Sequence, residues 1–442
     1  MNMGRWLRLI SIAVLGLISR IIPFFYSQNP LGYDTGFYRR YLIEERLFEN
    51  VPGLGIGTIV PKAILEIGKL LHIGTDFTLY ASLILPSVAI PILLYILLRN
   101  RCGTRIAFFA ALILAISPIQ YFAYWAMLLK SAYGVAFLLL TAHWIERRSP
   151  YMYFGAVLIA CSHETTSIIF LLTLGIWFFF EKARRHEILR IAAISGGLFL
   201  FFHSETIVPN VVTLPRASFN SWIQFITFSF PLLLLAGAGA YSFFKKYRYS
   251  YLAAFASVMI LYPIFHLPFY QRIFIYTDIA LAIFAAFGVV YFLDAANASP
   301  TKKLRRFFQI ITLTLLIAIG SILANRIYQL RPLLPAGINT ELAKLDSQVL
   351  AGSYILTTTT LAPWTEGWSH AHIIAPGMLH GKQALTEWTH YLNATNPNQK
   401  TDFLASVGRP LYLFLPPDAI DIYAPQSCRE QLGIFLFRYI CE

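Results

Sequence analysis

Residues 222–244 read WIQFITFSFPLLLLAGAGAYSFF and contain no charged side chain. A helix of this length measures about 34 Å at 1.5 Å per residue, which exceeds the roughly 30 Å hydrocarbon core of a bilayer. An uncharged apolar run of this length is typical of a transmembrane helix. The segment therefore predicts an integral membrane protein.

The composition of the whole chain supports this prediction. Of the 442 residues, 57% are hydrophobic and only 13% are charged, whereas about a quarter are charged in ordinary soluble domains. The formal net charge of +13 would suit nucleic acid, but the basic residues form short runs between apolar segments, and no groove-reading or base-stacking module is recognisable. We therefore expect no nucleic-acid partner and use the basic runs to predict topology.

Hydrophobic windows predict about eleven transmembrane helices in an all-α polytopic protein. They lie near residues 9–26, 78–98, 105–122, 124–145, 150–163, 166–181, 187–204, 220–243, 249–267, 271–293 and 307–325. Basic residues collect in every second loop, at 99–105, 147–148, 182–185, 245–248 and 302–306. Because cytoplasmic loops are enriched in Lys and Arg, this alternation predicts a cytoplasmic N-terminus and an extracytoplasmic C-terminus.

One long apolar stretch, residues 151–180, is interrupted only by the polar group Ser-His-Glu-Thr-Thr at 162–166. Both of its flanks are basic and are predicted to be cytoplasmic, so the chain must turn back near His163. The stretch is long enough for only two short half-spans. Polar backbone at membrane depth is tolerated only against protein or a water-filled cavity. The pattern therefore predicts that His163 and Glu164 lie in such a cavity.

Two parts of the chain are predicted to lie outside the membrane. The first outer loop, about 27–77, contains amphipathic stretches at 38–48 and 59–71, which predict helices lying on the membrane surface. Residues 326–442 predict a small C-terminal α/β domain following a membrane module at 1–325. Its predicted strands lie at 354–359, 372–375, 411–415 and 434–440.

Two cysteines of this C-terminal domain, Cys428 and Cys441, flank the last apolar stretch of the chain. Thiols in an oxidising compartment favour disulfides. The pair is therefore a disulfide candidate.

A carboxylate follows the first span closely, in the loop Asn-Pro-Leu-Gly-Tyr-Asp-Thr-Gly-Phe-Tyr at 29–38. Asp34 at this position is a candidate general base, because a positioned Asp can take the proton of an acceptor hydroxyl during group transfer. The alternative interpretation is a turn residue between two glycines.

The layout resembles the GT-C superfamily of polytopic membrane glycosyltransferases, including the protein mannosyltransferase-like and aminoarabinose transferase-like prokaryotic members. The resemblance covers nearly the whole chain, although its motifs are short. It rests on Gly32-Tyr33-Asp34, the amphipathic first loop, Ser117-Pro118, Lys130, the 162–166 group, Gln271-Arg272-Ile273-Phe274, and the tail motifs at 363–370 and 375–377.

This resemblance implies an inverting glycosyltransferase that uses a polyprenyl-phosphate-linked sugar on the extracytoplasmic face. It implies Asp34 as the base, a glycan, lipid or protein as acceptor, and a location in the plasma membrane, with a prokaryotic one expected. Many relatives carry two adjacent acidic residues in this loop, whereas Thr35 follows Asp34 here. We assign no cofactor from the sequence. A divalent cation is allowed, but the sequence contains no recognisable set of ligands for it.

Two cations are candidates for binding the donor phosphate. Arg272 opens a span at its outer end, where a cation opposes the helix dipole unless an anion lies between it and the free backbone N–H groups; the alternative is an anchor in lipid headgroups. Lys130 lies deeper, where an ammonium needs a partner. Either an ion pair with Asp278 or a phosphate contact accounts for it.

His163 and Glu164 are candidates for binding the acceptor or an ion, or for assisting proton transfer. A capped hairpin tip is the alternative, because Ser162 and Thr165 are good cap residues. A transporter or lipid flippase would also place charges inside the membrane. The chain shows no internal repeat, however, and its long first loop and folded tail favour an enzyme.

Overall fold

The computed structural model describes residues 3–22, 32, 34–44, 46–51, 54–213, 221–267, 270–330, 334, 336–376, 378–379 and 383–441. These residues form two compact units. The helical unit comprises Met1–Gln28, Ile56–Ile67 and Tyr80–Arg331, and the sheet unit comprises Asn29–Gly55, Gly68–Leu79 and Pro332–Glu442. Much of the first outer loop thus groups with the C-terminal part of the chain. The domain boundary near 325 stays a prediction.

The α-helices follow the apolar windows closely. They are α1 (Met3–Ile21), α2 (Thr35–Ile43), α3 (Ile59–Leu70), α4 (Thr75–Cys102), α5 (Thr104–Ala115), α6 (Pro118–Trp125), α7 (Leu129–Glu146), α8 (Tyr151–Ala160), α9 (Glu164–Phe180), α10 (Arg185–Thr213), α11 (Trp222–Tyr247), α12 (Tyr251–Ile264), α13 (Tyr270–Ala298), α14 (Lys302–Gln329), α15 (Ala336–Gln348), α16 (Ala362–Gly367), α17 (Leu385–Asn393), α18 (Pro397–Val407) and α19 (Ile420–Tyr423).

Within the described residues, four helices are long and apolar enough to cross a membrane, namely α4, α11, α13 and α14. Two bent pairs raise that number to six if each pair counts as one span: α5 with α6, bent by 45°, and α9 with the 182–203 segment, bent by 117°. A predominantly helical membrane protein with a small sheet is therefore confirmed. The count of eleven spans stays a prediction.

One window predicted as a single span, 105–122, is broken in the structure. Helix α5 ends at Ala115, and Ser117 is the N-cap of α6, where its hydroxyl accepts hydrogen bonds from the backbone N–H groups of Ile119 and Gln120. Pro118 then occupies the first turn of α6, where its missing N–H costs nothing. This N-cap explains why the chain bends here rather than continuing as one helix.

The centre of the helical unit is α13, whose most apolar window is 94% buried. It crosses α11 at very short range. A Cβ added to Gly239 would lie 2.0 Å from the Phe284 carbonyl oxygen, and one added to Gly288 would lie 2.1 Å from that of Leu235. Small residues permit close packing where lipid supplies no hydrophobic drive between helices.

The stretch 151–180 contains a helix break at the predicted place, and the reversal of the chain across the membrane stays a prediction. Helix α8 ends at Ala160, α9 begins at Glu164, and His163 has an extended backbone with φ −161°. The backbone N–H of Ser167 donates to the His163 carbonyl at 3.1 Å, which is the first turn of α9. The N-cap of α9 is His163, whose side chain makes no capping hydrogen bond, rather than Ser162 or Thr165, the predicted cap residues.

The two predicted helices of the first outer loop are also present, with shifted ends. Helix α2 begins at Thr35 rather than 38, because Thr35 Oγ1 and N both donate to the Gly32 carbonyl and close a turn there. It ends at Ile43, since Glu44 is extended. Helix α3 matches its predicted range and exposes an apolar face at Ile67 and Leu70, as expected for a helix at a membrane surface.

Within the described residues, the sheet unit contains a five-stranded sheet with the strand order β2-β1-β3-β5-β4. The strands are β1 (Tyr354–Thr357), β2 (His372–Ile374), β3 (Leu411–Phe414), β4 (Arg429–Gln431) and β5 (Leu436–Tyr439). Strand β1 pairs in parallel with β2 and β3, whereas β5 pairs antiparallel with β3 and β4. Four strands were predicted; β4 was missed because its Arg-Glu-Gln sequence carries no apolar signal.

The predicted disulfide between Cys428 and Cys441 is present. The cysteines lie just before β4 and just after β5, with a Cα–Cα distance of 4.8 Å. Strand pairing brings them together, because Arg429 lies opposite Tyr439 and the Ile440 N–H donates to the Cys428 carbonyl. The bond therefore joins the two ends of the terminal hairpin.

Replacing both cysteines by serine is expected to destabilise the sheet unit by about 3 kcal/mol, because a bond that closes a loop of this length restricts the unfolded chain by that amount. Thermal unfolding of the detergent-solubilised protein with and without reductant measures the effect. Reductant should lower the melting temperature of the wild type and leave the double variant unchanged. Equal melting temperatures in all four samples would contradict the prediction.

Candidate functional site

The helical unit brings together four of the residues predicted from the sequence. Glu164 is the first residue of α9, and its Oε1 lies 3.8 Å from His163 Nε2 and 4.0 Å from Arg272 Nη1. The charge of Lys130 acts on both Glu164 and His163. We call Lys130, His163, Glu164 and Arg272 the charged cluster.

The three helices that supply the cluster all begin at it. Lys130 is the second residue of α7, Glu164 is the first of α9, and Arg272 lies in the first turn of α13. Each helix N-terminus contributes backbone N–H groups without helical partners and the positive end of the helix dipole. Two side-chain cations add to this positive potential. With a neutral imidazole, the cluster carries a net charge of +1. Such an arrangement favours an anion.

Arg272 is the most accessible member of the cluster. Its side chain is 47% exposed, whereas that of Glu164 is 28% exposed. An ion pair at 4.0 Å with this exposure contributes less than about 1 kcal/mol. The guanidinium is therefore accessible from solvent.

Lys130 is not paired with Asp278, contrary to one of the two sequence interpretations. The Asp278 carboxylate is fully buried and accepts hydrogen bonds from Ser117 Oγ at 2.7 Å and from Gln120 Nε2 at 3.1 Å. Arg20, also buried, supplies the nearby positive charge. The bend before α6 aims Ser117 and Gln120 at Asp278, which sequence spacing does not reveal.

His163 is held by the helices around it. Its Nδ1 lies 3.0 Å from Thr166 Oγ1, which in turn lies 2.6 Å from the Tyr276 hydroxyl. A Cβ at Gly134 would lie 2.2 Å from Thr166 Oγ1, so α7 passes directly over this network. Because Nδ1 is engaged, Nε2 is the nitrogen that faces Glu164. His163 thus orients the cluster more than it faces solvent, being 4% exposed.

Asp34 belongs to the sheet unit. It occupies the N-cap position of α2 with backbone angles of φ −76° and ψ −3°, and its carboxylate does not cap that helix. The side chain is half-buried. Its neighbours at 29–31 and 33, which the sequence analysis quoted with it, lie outside the described residues. The structure places Asp34 in the turn that Thr35 closes on Gly32, and its role as a base stays a prediction.

Sequence reasoning missed the residues that α2 meets in the tail. Arg40 Nε lies 2.5 Å from Glu44 Oε1 and 3.9 Å from Glu366 Oε1. Burial raises the pKa of Glu366 to about 7, with Arg40 opposing the shift and Glu44 adding to it. The tail motif at 363–370 contains Glu366, but the sequence does not reveal the surroundings of this carboxyl, because they come from a helix more than 300 residues earlier in the chain.

The raised pKa of Glu366 predicts a pH-dependent stability. A carboxyl whose folded pKa lies above its ordinary value of 4.5 stabilises the fold fully below that pH, and the contribution is lost as the pH rises through about 7. The loss amounts to about 3 kcal/mol at most. Glu366→Gln should therefore raise the melting temperature relative to the wild type at pH 8 but not at pH 4.5.

Glu430→Gln, at an exposed glutamate of β4, is the matched control and should show no such difference. A pH-independent difference between Glu366→Gln and the wild type would mean that Glu366 is charged throughout.

Among the described residues, no group of three or more His, Cys, Asp or Glu side chains is arranged to hold a metal ion. The divalent cation that the sequence allowed stays a prediction without an assigned site. The Asn393-Ala394-Thr395 sequon ends α17 and is exposed at Asn393 and Thr395.

The fold is that of GT-C glycosyltransferases, which confirms the resemblance predicted from the sequence. No protein-family model and no curated protein sequence matches the chain. At the sequence identities found, the structural likeness establishes the fold alone.

Three solved structures illustrate this likeness. One is the Archaeoglobus fulgidus oligosaccharyltransferase tethered with an acceptor peptide containing the NVT sequon, at 12% identity and a TM-score of 0.65, covering 92% of this chain and 68% of that one. ArnT from Cupriavidus metallidurans, bound to undecaprenyl phosphate, has 12% identity, a TM-score of 0.60 and coverage of 99% and 98%. The mycobacterial arabinofuranosyltransferase AftD has 16% identity, a TM-score of 0.55 and coverage of 95% and 35%.

Proposed function

We propose that the chain is an inverting glycosyltransferase that moves a sugar from a polyprenyl-phosphate-linked donor to an acceptor at the extracytoplasmic face of the plasma membrane, with a prokaryotic membrane expected. The observation that carries the proposal is the convergence of three helix N-termini and two cations at the charged cluster, in a GT-C fold. A phosphate ester is the anion that such a site suits best. ArnT, of similar fold, has been solved with undecaprenyl phosphate.

In the proposed reaction, Arg272 and Lys130 bind the donor phosphate, and Glu164 keeps the two cations in place between turnovers. Asp34 takes the proton of the acceptor hydroxyl as the acceptor oxygen attacks the anomeric carbon. The bond from that carbon to the phosphate oxygen breaks, and attack from the opposite face inverts the configuration. Polyprenyl phosphate leaves as a dianion, so its departure needs cationic stabilisation rather than a proton.

The acceptor is a glycan, a lipid or a protein, and the donor sugar is a hexose or a pentose. The charged cluster determines neither the acceptor nor the sugar, because its residues bind the phosphate that all such donors share. The panel used to test the activity must therefore vary the sugar.

The decisive experiment measures sugar release by the purified protein from a panel of radiolabelled polyprenyl-phosphate sugars. Turnover of at least one donor is expected. Silence across the panel by a protein shown to be folded would contradict the proposal and favour the transporter or flippase alternative, which a lipid-flip assay in vesicles then tests.

A further inference from the structure

The helix that follows Asp34 has an exceptionally close neighbour in the sheet unit. A Cβ added to Gly36 would lie 1.5 Å from the carbonyl oxygen of Pro363, and one added to Gly367 would lie 2.6 Å from the Cα of Gly36. Both glycines are therefore required by contact between the backbones of α2 and α16. No other residue fits at either position without moving one helix.

Two arginines of α2 extend this contact to the end of α16. Arg39 lies over the Trp368 ring with its guanidinium carbon 4.3 Å from the ring centroid, and its Nη1 donates to the Gly367 carbonyl. Arg40 Nη1 donates to the Ser369 carbonyl. The Gly367 carbonyl belongs to the last residue of α16 and the Ser369 carbonyl lies just beyond it, where backbone acceptors lack helical partners. The arginines therefore fix the rotation of α2 as well as its distance from α16.

The same segment contains the tail motif at 363–370 that carries part of the family resemblance. Trp364 is 1% exposed, so its ring packs in the core of the sheet unit together with Leu361 and Ile373. Trp368 is covered on one face by Arg39. Packing thus accounts for the indole of Trp364 and for one face of Trp368.

We propose that residues 362–369 form a clamp that positions Asp34 for catalysis. Asp34 is two residues from Gly36 and joins α2 directly, and the turn closed by Thr35 on Gly32 leaves it little independent freedom. Any shift of α2 on α16 therefore moves the carboxylate. A misplacement of about 1 Å of a reacting group can cost about 10²-fold in rate. This inference rests on the proposed role of Asp34 as base.

The test compares two glycine variants in helices of the same unit. Gly367→Ala inserts a methyl group against Gly36, whereas among the described residues a Cβ at Gly337 in α15 has Phe435 as its neighbour, at 4.0 Å. We expect Gly367→Ala to lower kcat by about 10- to 100-fold with the donor KM unchanged, and Gly337→Ala to leave both unaltered. Arg39→Lys is the second variant; it keeps the charge beside Asp76 but loses the planar fork, and it should lower kcat in the same sense.

A double-variant cycle separates positioning from general destabilisation. In the Asp34→Asn background, single-turnover rates should fall no further when Gly367→Ala or Arg39→Lys is added, because the group they position is already absent. An equal further fall in that background would overturn the clamp in favour of a purely structural role. Wild-type activity of Gly367→Ala would also overturn the clamp. If Gly367→Ala does not fold, wild-type activity of Arg39→Lys would do so.

Failure of the proposed base is a distinct outcome, since Asp34→Asn alone would then be fully active. In that case the clamp has no carboxylate to position, and the inference falls with it.

Discussion

Asp34→Asn is expected to lower kcat by a factor of about 10³, since general-base catalysis contributes about 10² to 10⁴ in rate. The amide keeps the size and polarity of the carboxylate but cannot accept the acceptor proton. Because the donor phosphate is assigned to other residues, the donor affinity should change by less than about threefold. Single-turnover transfer and equilibrium donor binding, measured on the same preparation, give the two numbers.

Asp402→Asn is the matched control, because Asp402 is an exposed aspartate of α18 in the same unit. It should behave as the wild type in both assays. If Asp34→Asn retained full transfer activity, Asp34 would have no role as base, and its place at the start of α2 would be structural.

The fold was predictable where apolar length and charge dominate. The helix break at 161–163 was predicted from the basic flanks of the stretch 151–180, because those flanks must lie on one side of the membrane. Strands β1, β3 and β5 carry apolar runs and were found. Strand β4 was not, because a short polar edge strand is specified by its partner β5 rather than by its own sequence.

The sequence predicted individual residues of the candidate site but not which of them lie close together. Arg272 and Glu164 were singled out separately, from a helix end and from a polar interruption, and the structure places them 4.0 Å apart. Of the two interpretations offered for Lys130, the ion pair with Asp278 is absent, because the buried Arg20 supplies the charge near Asp278. The burial of Arg20 to 2% exposure depends on tertiary packing, including a hydrogen bond from Nη1 to the Ala115 carbonyl at 2.9 Å.

The two glycines of the clamp could not be predicted from the sequence either. A glycine in a short helix gives no local signal of what it faces, and Gly36 and Gly367 are far apart in sequence. Only the structure shows that glycine is required at both positions, because a Cβ there would lie too close to neighbouring atoms. Alternation of apolar residues cannot report such a contact, because backbone meets backbone there.

Arg272→Ala is expected to raise the donor KM by about 30-fold, equivalent to roughly 2 kcal/mol for a charged hydrogen bond to phosphate. The guanidinium is 47% exposed, and its ion pair with Glu164 at 4.0 Å contributes less than about 1 kcal/mol. Replacing Arg272 by alanine removes the contact with the donor phosphate, and no new interaction compensates for this loss. KM and kcat for the best donor of the panel, measured with saturating acceptor, show whether the loss is in binding.

Arg272→Lys distinguishes charge from geometry. A lysine keeps the cation but offers a point charge in place of two parallel donors, so it should recover part of the affinity and none of the bidentate specificity for phosphate. If alanine, lysine and arginine at this position gave the same KM, Arg272 would be an anchor in lipid headgroups, and the phosphate would have to be bound elsewhere. A fall in kcat as well as a rise in KM for alanine would instead show that the guanidinium also stabilises the departing dianion, since interactions that strengthen in the transition state act on kcat.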